Sequence, residues 1–180
     1  MPVCIDVSEG FAPIEAADAR ILILGSLPGQ KSLAADEYYA HPRNAFWSIM
    51  KTIYGIEGDY ARRCRSLTEH NIALWDVLRA SVRPGSLDAD IRESTATVND
   101  FQQFLAAHAD VRSILFNGKK ARQMFMKLVP SEHYRKCDLA GLPSTSPAFA
   151  AMPFSGKLAA WRAELEASVR APSSRNSETP

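Results

Sequence analysis

The feature that most constrains the fold is a set of four short apolar runs separated by segments of helical periodicity. Such runs are typical of strands buried on both faces of a parallel sheet. They lie at residues 20–25, 71–77, 112–118 and, more weakly, 136–140. Strands that alternate with helices predict right-handed crossovers and helices on both faces of the sheet. We therefore expect a three-layer α/β/α domain around a central, mainly parallel four-stranded sheet.

Helical periodicity marks the segments between and after these runs. The helical segments begin near residues 43, 60, 97, 119 and 155. Ser155 is a plausible N-cap for the last of them, because serine favours the position before the first helical turn. Both ends of the chain, 1–10 and 171–180, are polar or rich in Pro and Ser and are expected to be loose.

Length and composition limit the protein class. With 180 residues and 46% hydrophobic content, we predict one globular domain over residues 1–170 with a flexible tail at 171–180. No apolar run reaches the ~20 residues of a membrane span, and the first residues lack signal-peptide character. The predicted location is cytoplasmic. The three cysteines form no CxxC pair, which argues against a disulfide framework, a zinc ribbon and a four-cysteine iron–sulfur site. We expect no metal and no cofactor.

The sequences at the strand ends carry the functional signal. In an open α/β sheet, ligands bind beyond the carboxyl ends of the strands. The four predicted ends are GSLPG at 25–29, WDVLRASVRPGSL at 75–87, FNGKK at 116–120 and LPSTSPA at 142–148. Glycines in such turns let backbone N–H groups approach an anion or a planar ligand. A fifth segment, YYAHPRNAFW at 38–47, is unusually dense in aromatic residues.

In this combination and order, the motifs resemble the uracil-DNA glycosylase superfamily, most closely its hypoxanthine-DNA (deoxyinosine) glycosylase branch. GSLPG resembles the first motif of that superfamily, and residues 38–47 resemble a segment shared with the mismatch-specific branch. FNGK resembles a strand-three signature of thymine and mismatch glycosylases. LPSTSPA resembles the second motif, a Ser/Pro loop that enters the minor groove. The resemblance spans residues 20–165.

The resemblance implies a monofunctional enzyme that hydrolyses the N-glycosidic bond of a deaminated base and leaves an abasic site. Its catalytic residue would be Asn44, whose carboxamide holds the attacking water. One departure is Leu27, which stands where the mismatch branch has asparagine and cannot position water. From the residues alone, Asn44 also fits a helix N-cap, and the two roles are compatible.

A base-binding set follows from the same motifs: Gly25, Ser26, Leu27, Tyr39 and Asp76. Tyr39 matches the family's stacking aromatic, although the pattern also fits a core tyrosine. Asp76 ends the second strand, where a carboxylate could accept the N1–H of hypoxanthine or the N3–H of uracil. The alternatives for Asp76 are a turn cap or an ion pair with Arg79.

The DNA-binding set predicted from the last two motifs is Asn117, Lys119, Ser144, Thr145 and Ser146. Residues 111–140 carry seven Lys or Arg against two acidic residues, a net charge of +5, while the whole chain carries only +1. From sequence, this local excess fits a solvated face best, with a phosphate-facing patch as the alternative. The serines could also form only a turn and a helix cap.

Two alternative functions remain at this point. Leu27 favours a non-catalytic protein that binds damaged DNA, and the shared motifs are also compatible with a uracil- or mismatch-specific glycosylase. A small-molecule or nucleotide-binding enzyme is disfavoured because neither GxGxxG nor GxxxxGK[ST] is present. The expected partner is DNA that contains deaminated bases, bound by a monomer without membrane association.

Overall fold

The computed structural model describes residues 7–170. The predicted tail at 171–180 and Cys4 lie outside the described residues. The described chain forms seven strands: β1 (Val7–Glu9), β2 (Ile21–Gly25), β3 (Ile72–Asp76), β4 (Leu78–Val82), β5 (Thr97–Val98), β6 (Ser113–Asn117) and β7 (Asp138–Leu142). It forms six α-helices: α1 (Gln30–Ala35), α2 (Phe46–Tyr54), α3 (Tyr60–Glu69), α4 (Phe101–Ala107), α5 (Lys119–Leu128) and α6 (Phe154–Arg170).

The central sheet has four parallel strands in the order β3-β2-β6-β7. All residues of β2, β3 and β6 are buried, which explains why these segments contain so few polar side chains. The register pairs Gly25 with Asp76 and Asn117 with Leu142 at the carboxyl edge. The predicted fold class is confirmed, and each strand-end motif emerges at this edge.

Helices cover the sheet on two faces, because the first crossover runs in the opposite direction along the sheet from the later ones. Aromatic contacts follow this division. Phe46 of α2 packs edge-on against Trp161 of α6, with ring centroids 5.8 Å apart. Phe101 of α4 packs against Phe125 of α5 at 5.0 Å. The α2 and α6 pair is the layer that reaches the residues around Asn44 and the Ser/Pro loop.

A second sheet was not predicted from the sequence. Strands β1, β4 and β5 form an antiparallel sheet with β4 in the centre. The expectation of a loose N-terminus is therefore wrong for residues 7–9, which pair with residues 80–82. The helix expected from 97 instead begins at Phe101, because Thr97 and Val98 pair with β4 and Asp100 caps the helix through the Gln103 N–H.

Other element boundaries differ by a few residues. Helix α1 was missed, because its six residues are too short for a clear periodicity. Helix α2 begins at Phe46 rather than at 43, and β7 runs two residues beyond its predicted end. Helix α6 begins at Phe154, so Ser155 lies in the first turn and is not the N-cap.

The three tryptophans lie in the core, as predicted, and each indole N–H also holds a loop. Trp47 donates to the Tyr38 carbonyl at 2.8 Å and Trp75 to the Phe11 carbonyl at 3.0 Å. Trp161, fully buried, donates to the Pro143 carbonyl at 3.0 Å. A buried carbonyl without a partner is costly, so these contacts fix the backbone beside the site.

We predict that Trp161→Phe destabilises the protein by about 1–3 kcal/mol, because the Pro143 carbonyl loses its donor and the smaller ring leaves a gap. Urea denaturation measures the change. Val169→Ala on the same helix, at a side chain that is 64% exposed, is the control and should stay within about 0.5 kcal/mol. Equal stability of the two variants would contradict the role given to this hydrogen bond.

Candidate active site at the carboxyl edge of the central sheet

The site is centred on Gly25, at the end of β2. A Cβ at this position would lie 2.3 Å from Asp76 Oδ1 and 3.1 Å from Tyr39 Oη. Glycine is therefore required, because any side chain would displace the Asp76 carboxyl. The Tyr39 hydroxyl and Asp76 Oδ2 are both buried without a hydrogen-bond partner in the described part of the chain. Two unsatisfied polar groups beside one glycine are a strong sign of a ligand site.

Asp76 is 3% exposed, and neither of its two alternative roles is seen. No ion pair joins it to Arg79 within the described residues, and its side chain caps no turn there. Burial raises the pKa of Asp76 to about 7, with Arg83 opposing the shift and Asp88 adding to it. The backbone carbonyl of Asp76 accepts from Asn99 Nδ2 at 2.8 Å, which fixes the end of β3.

Tyr39 is placed by an unusual backbone conformation. Its φ is +56°, a left-handed geometry that is uncommon for a bulky residue and is often found at functional sites. One side of the ring packs on Phe46, with centroids 4.3 Å apart and an interplanar angle of 32°. The pKa of the Tyr39 hydroxyl is raised by burial and, secondarily, by the Asp76 carboxyl, so the phenol stays neutral. Half-buried overall, Tyr39 combines core packing with access to the site.

The turn at 25–29 has its carbonyl groups bound by the protein. Val77 N–H donates to the Gly25 carbonyl at 2.9 Å, and Leu78 N–H donates to the Ser26 carbonyl at 3.0 Å. The backbone N–H groups of Ser26 and Leu27 have no acceptor within residues 7–170. The Leu27 side chain is 5% exposed and packs in the core. The turn therefore offers backbone donors and no polar group from Leu27.

Asn44 lies just before α2. Its Oδ1 accepts from the Phe46 N–H at 3.0 Å, a contact between residues two apart in the chain. The N-cap residue of α2 is Ala45, so the expected N-cap position of Asn44 is wrong by one residue. One Oδ1 lone pair and both Nδ2 hydrogens have no partner in the described chain. The Asn44 N–H donates to the His41 carbonyl at 2.8 Å, and the Ala45 N–H donates to the Thr145 carbonyl at 3.0 Å. The segment that carries Asn44 is thus bonded directly to the Ser/Pro loop.

The Ser/Pro loop, residues 143–147, is clamped by Asn117. Asn117 Nδ2 donates to Thr145 Oγ1 at 2.8 Å, and Asn117 Oδ1 accepts from the Thr145 N–H at 2.9 Å. Both residues are buried, Thr145 completely. Gly118, with φ of +99°, lets the chain pass Ser144, whose Cβ would lie 3.1 Å from an added methyl group. The paired side chains of Asn117 and Thr145 are suited to positioning the loop.

The remaining hydroxyls of the loop are more accessible. Ser144 and Ser146 are half-buried, and each accepts from a backbone N–H two residues further along the chain, at 3.2 Å. The turn interpretation of this motif is therefore also realised, while each hydroxyl keeps its own hydrogen to donate. Lys119 is exposed at the start of α5, at the same edge of the sheet.

Sequence reasoning missed two buried cations at the site. Lys157, 6% exposed, lies under the Ser/Pro loop and donates to the Ser146 carbonyl at 3.4 Å. Its Nζ lies 5.2 Å from the Phe149 ring centroid, and burial lowers its pKa. Arg83, 4% exposed, contacts the turn at 25–29. The sequence signal for Lys157 was weak: a lysine in the first turn of a helix is unfavourable with respect to the helix dipole, which hints at a specific role.

The basic excess at 111–140 does not form one surface. Arg112, Arg135 and Lys136 lie at or before the starts of β6 and β7, the edge opposite the site. Glu93 binds Lys120 at 2.6 Å and Lys127 at 2.8 Å. These two lysines lower the pKa of Glu93 to about 2, so both remain paired with a carboxylate at neutral pH. These five basic residues therefore add no unpaired positive charge at the site, and the predicted phosphate-facing patch is much smaller than the sequence suggested.

Within residues 7–170, no cluster of three or more His, Cys, Asp or Glu side chains could hold a metal ion. Over the same residues, no helix has the length and apolar character of a membrane span.

We predict that ionisation of Asp76 destabilises the unliganded protein. The folded-state pKa of about 7 lies above the ordinary value of 3.8. Between these values the folded state holds a proton that the unfolded state has lost, so the free energy of unfolding falls as pH rises. The fall reaches up to about 4 kcal/mol between about pH 4 and pH 8. Asp76→Asn should match wild type near pH 4 and be more stable near pH 8.

Urea denaturation at the two pH values tests this expectation. Asp36→Asn, at an exposed carboxylate with left-handed backbone that asparagine tolerates, is the matched control. It should leave the pH dependence unchanged. Parallel stability curves for wild type and Asp76→Asn would show that Asp76 ionises without cost.

The sequence and fold have clear relatives. Residues 12–169 match the family model described as the uracil DNA glycosylase superfamily. A hypoxanthine DNA glycosylase of Methanosarcina barkeri is 37% identical over 116 residues, which cover 63% of this chain and 72% of that protein. A hypoxanthine DNA glycosylase of Methanosarcina acetivorans is 35% identical over 118 residues, covering 64% and 73% respectively.

The fold is also similar to a solved structure. A solution NMR structure of a candidate uracil DNA glycosylase from Methanosarcina acetivorans superposes with a TM-score of 0.72 and 32% identity. The match covers 89% of this chain and 99% of that one. The family match includes every strand-end motif of the site, and the chain belongs to the uracil DNA glycosylase superfamily.

Proposed function

We propose that the protein is a monofunctional DNA glycosylase that removes deaminated bases, hypoxanthine foremost, and leaves an abasic site. The observation that carries the proposal is the pair of unsatisfied polar groups, on Tyr39 and Asp76, beside the unsubstituted Gly25. Two relatives named hypoxanthine DNA glycosylase support the choice of base. Excision of such a base is the first step of base excision repair.

The base must leave the duplex before it can react. Extrusion costs a few kcal/mol, less for a mispaired base such as hypoxanthine. The flipped base would stack on Tyr39, whose ring is held from behind by Phe46 at 4.3 Å. Gly25 leaves room for the base edge to reach Asp76.

Asp76 would read the edge of the base. Ionised, it accepts the N1–H of hypoxanthine, whereas adenine presents an unprotonated N1 that would face the carboxylate lone pairs. A site that depends on buried hydrogen bonds rejects such an analogue much more strongly than an apolar pocket does. The unpartnered Oδ2 of Asp76 supports this role, because a ligand donor would satisfy it.

Hydrolysis needs a positioned water molecule and stabilisation of the departing base. The free lone pair on Asn44 Oδ1 can accept from water and hold it below C1′, which supplies proximity and orientation. The hydrogen bond from the Phe46 N–H supports catalysis here, because it restrains the carboxamide of Asn44. Negative charge on the departing base would be stabilised by the unoccupied N–H groups of Ser26 and Leu27.

The DNA backbone would be contacted at the same edge of the sheet. Ser144 and Ser146 have hydroxyl hydrogens available for phosphate oxygens, and Lys119 adds an exposed positive charge. Asn117 and Thr145 would act mainly through the shape of the loop, since their side chains bind each other.

One observation favours a second function, a damaged-DNA binding protein without catalysis. Leu27 is apolar and buried, so the first motif provides no side chain to hold water. The two functions differ in whether the wild-type protein releases the base, and only the catalytic function predicts a loss of rate when Asn44 is replaced.

We predict that Asn44→Ala lowers the single-turnover rate of hypoxanthine release by at least ~100-fold with little change in DNA affinity, because the carboxamide acts mainly in the transition state. The measurement uses an inosine-containing oligonucleotide and alkaline cleavage of the abasic product. Asn44→Ser keeps an acceptor near the Phe46 N–H but removes the carboxamide, and it should be equally impaired.

Loss of the contact with the Phe46 N–H needs its own control, since a side-chain acceptor at a helix N-terminus is by itself worth ~1 kcal/mol of stability. Asp59→Ala removes the cap of α3, where Asp59 Oδ1 accepts from the Arg62 N–H at 2.8 Å, and it should retain full activity. Wild-type activity in Asn44→Ser would place catalysis elsewhere. Wild-type protein that binds but never releases the base would favour the non-catalytic function.

We also predict that wild type releases hypoxanthine faster than uracil and does not release adenine. Because Asp76 must be ionised to accept N1–H, the rate on inosine should rise with pH through about 7. Asp76→Asn should lose this rise and narrow the preference for inosine, while Asp36→Asn should behave as wild type. Single-turnover rates on otherwise identical oligonucleotides measure both effects. Faster release of uracil would assign the protein to another branch of the superfamily.

A further inference from the structure

The backbone of the turn at 25–29 has carbonyl groups that need hydrogen-bond donors from elsewhere in the protein. In a planar trans peptide, the carbonyl oxygen and the following N–H point in opposite directions. The Ser26 and Leu27 N–H groups therefore point away from Val77 and Leu78, whose N–H groups bind the two preceding carbonyls. Because the N–H groups of Val77 and Leu78 are already used, the next carbonyls, those of Leu27 and Pro28, need another donor.

Arg83 supplies these donors. Its Nη1 donates to the Leu27 carbonyl at 2.7 Å and to the Pro28 carbonyl at 3.2 Å. Its Nε donates to the Leu87 carbonyl at 3.3 Å, and its Nη2 donates to the Ser86 carbonyl. One buried guanidinium thus joins the turn at 25–28 to the loop at 86–87.

Asp88 completes the connection from the same loop. Its Oδ1 accepts from Ser26 Oγ at 2.6 Å and lies 3.5 Å from Arg83 Nη2. The Arg83 side chain is 3% exposed and the Asp88 side chain 40% exposed. The turn is therefore held at its Ser26 hydroxyl and at two consecutive carbonyls by one ion pair.

We propose that Arg83, with Asp88, is a positioning residue that orients the Ser26 and Leu27 N–H groups toward the departing base. The inference rests on the proposed glycosylase function and deepens it. Arg83 contacts no reacting atom, because its donors are occupied by protein carbonyls and Asp88.

A lysine could not replace Arg83 in this role. The planar guanidinium presents five donors in a fixed fork, whereas an ammonium presents three around one point. The five contacts of Arg83 spread over two segments and use all three guanidinium nitrogens. The position of Arg83 itself comes from β4, whose last residue, Val82, pairs with Val7 of β1.

The ion pair also influences Asp76 electrostatically. Arg83 opposes and Asp88 adds to the rise in the pKa of Asp76, which burial causes. The other titratable groups that interact with Asp76 are Tyr38 and Tyr39, whose own pKa values are raised by burial and by Asp76, so both are neutral. Removing either charged partner should therefore move the titration of Asp76, in opposite directions.

The kinetic test compares Arg83→Met, Arg83→Lys and Asp88→Asn on an inosine oligonucleotide. We expect Arg83→Met to lower the single-turnover rate by ~10- to 100-fold, as displacement of oriented donors does, with less than about a threefold change in DNA affinity. Arg83→Lys keeps the charge but loses the fork, so it should be similarly slow. Arg79→Met, at an exposed arginine of β4, the strand that directly precedes Arg83, is the matched control and should be unaffected.

The pH profile provides a readout that loss of structure alone would not give. The midpoint of the rise in rate should move to higher pH in Arg83→Met and to lower pH in Asp88→Asn. In Arg83→Lys it should stay near the wild-type value. Equal rates in wild type and both Arg83 variants, or midpoints that move in the same direction in Arg83→Met and Asp88→Asn, would overturn the inference.

A measurement without substrate separates this inference from the proposed function. Backbone ¹⁵N order parameters of Ser26 and Leu27 in the unliganded protein should be near ~0.85 in wild type and fall toward ~0.6 in both Arg83 variants. Those of β2 should stay rigid, which also reports that the variants fold. A rigid turn in the variants overturns the inference even if the enzyme is active. An inactive wild type with a turn that loosens in the variants overturns the glycosylase function and leaves the positioning of the turn supported.

Discussion

Gly25 and Asp76 are register partners on adjacent parallel strands, and the rest of the site depends on the missing side chain between them. Without a Cβ at Gly25, the Asp76 carboxyl and the Tyr39 hydroxyl occupy the space beside the backbone at the sheet edge. Neither Tyr39 Oη nor Asp76 Oδ2 finds a partner in the described chain. Folding alone would not favour this arrangement, because unsatisfied buried polar groups are destabilising. A ligand that supplies the missing donors and acceptors would recover the cost.

Around this centre, loops are held by buried side-chain donors. Trp161 and Lys157 donate to the Pro143 and Ser146 carbonyls of the Ser/Pro loop. Asn117, at the end of β6, accepts from the Thr145 N–H of the same loop. Arg83 holds the turn after β2. Donors of this kind restrict the backbone without occupying the site.

Charge near the site is local rather than spread over a face. The chain has a net charge of only +1, and Glu93 neutralises two of the lysines on α5. Lys119 is exposed at the edge of the site, while Lys157 is buried beneath the Ser/Pro loop. Such a distribution fits a protein that contacts few phosphates and derives its selectivity from the pocket.

Much of this protein follows from the sequence alone, because its signals are local. The runs at 20–25, 71–77 and 112–118 are apolar enough to require a buried parallel sheet, and the strand-end glycines mark its functional edge. Gly25, Asn44 and Asp76 were identified as candidate site residues through the resemblance of their motifs to the superfamily, which could be seen because each motif is contiguous in the chain.

Only the tertiary structure determined what depends on contacts between distant segments. The antiparallel sheet joins residues 7–9 to β4, and no local pattern in either segment specifies that pairing. Nothing in the local sequence marks Arg83 as a site residue. In the fold its Nη1 lies 2.7 Å from the carbonyl oxygen of Leu27, which is 56 residues away along the chain. The burial that raises the pKa of Asp76 likewise comes from the elements packed around β3. Sequence patterns report local periodicity and turn chemistry, whereas burial, pairing and electrostatic environment are set by neighbours that only folding brings together.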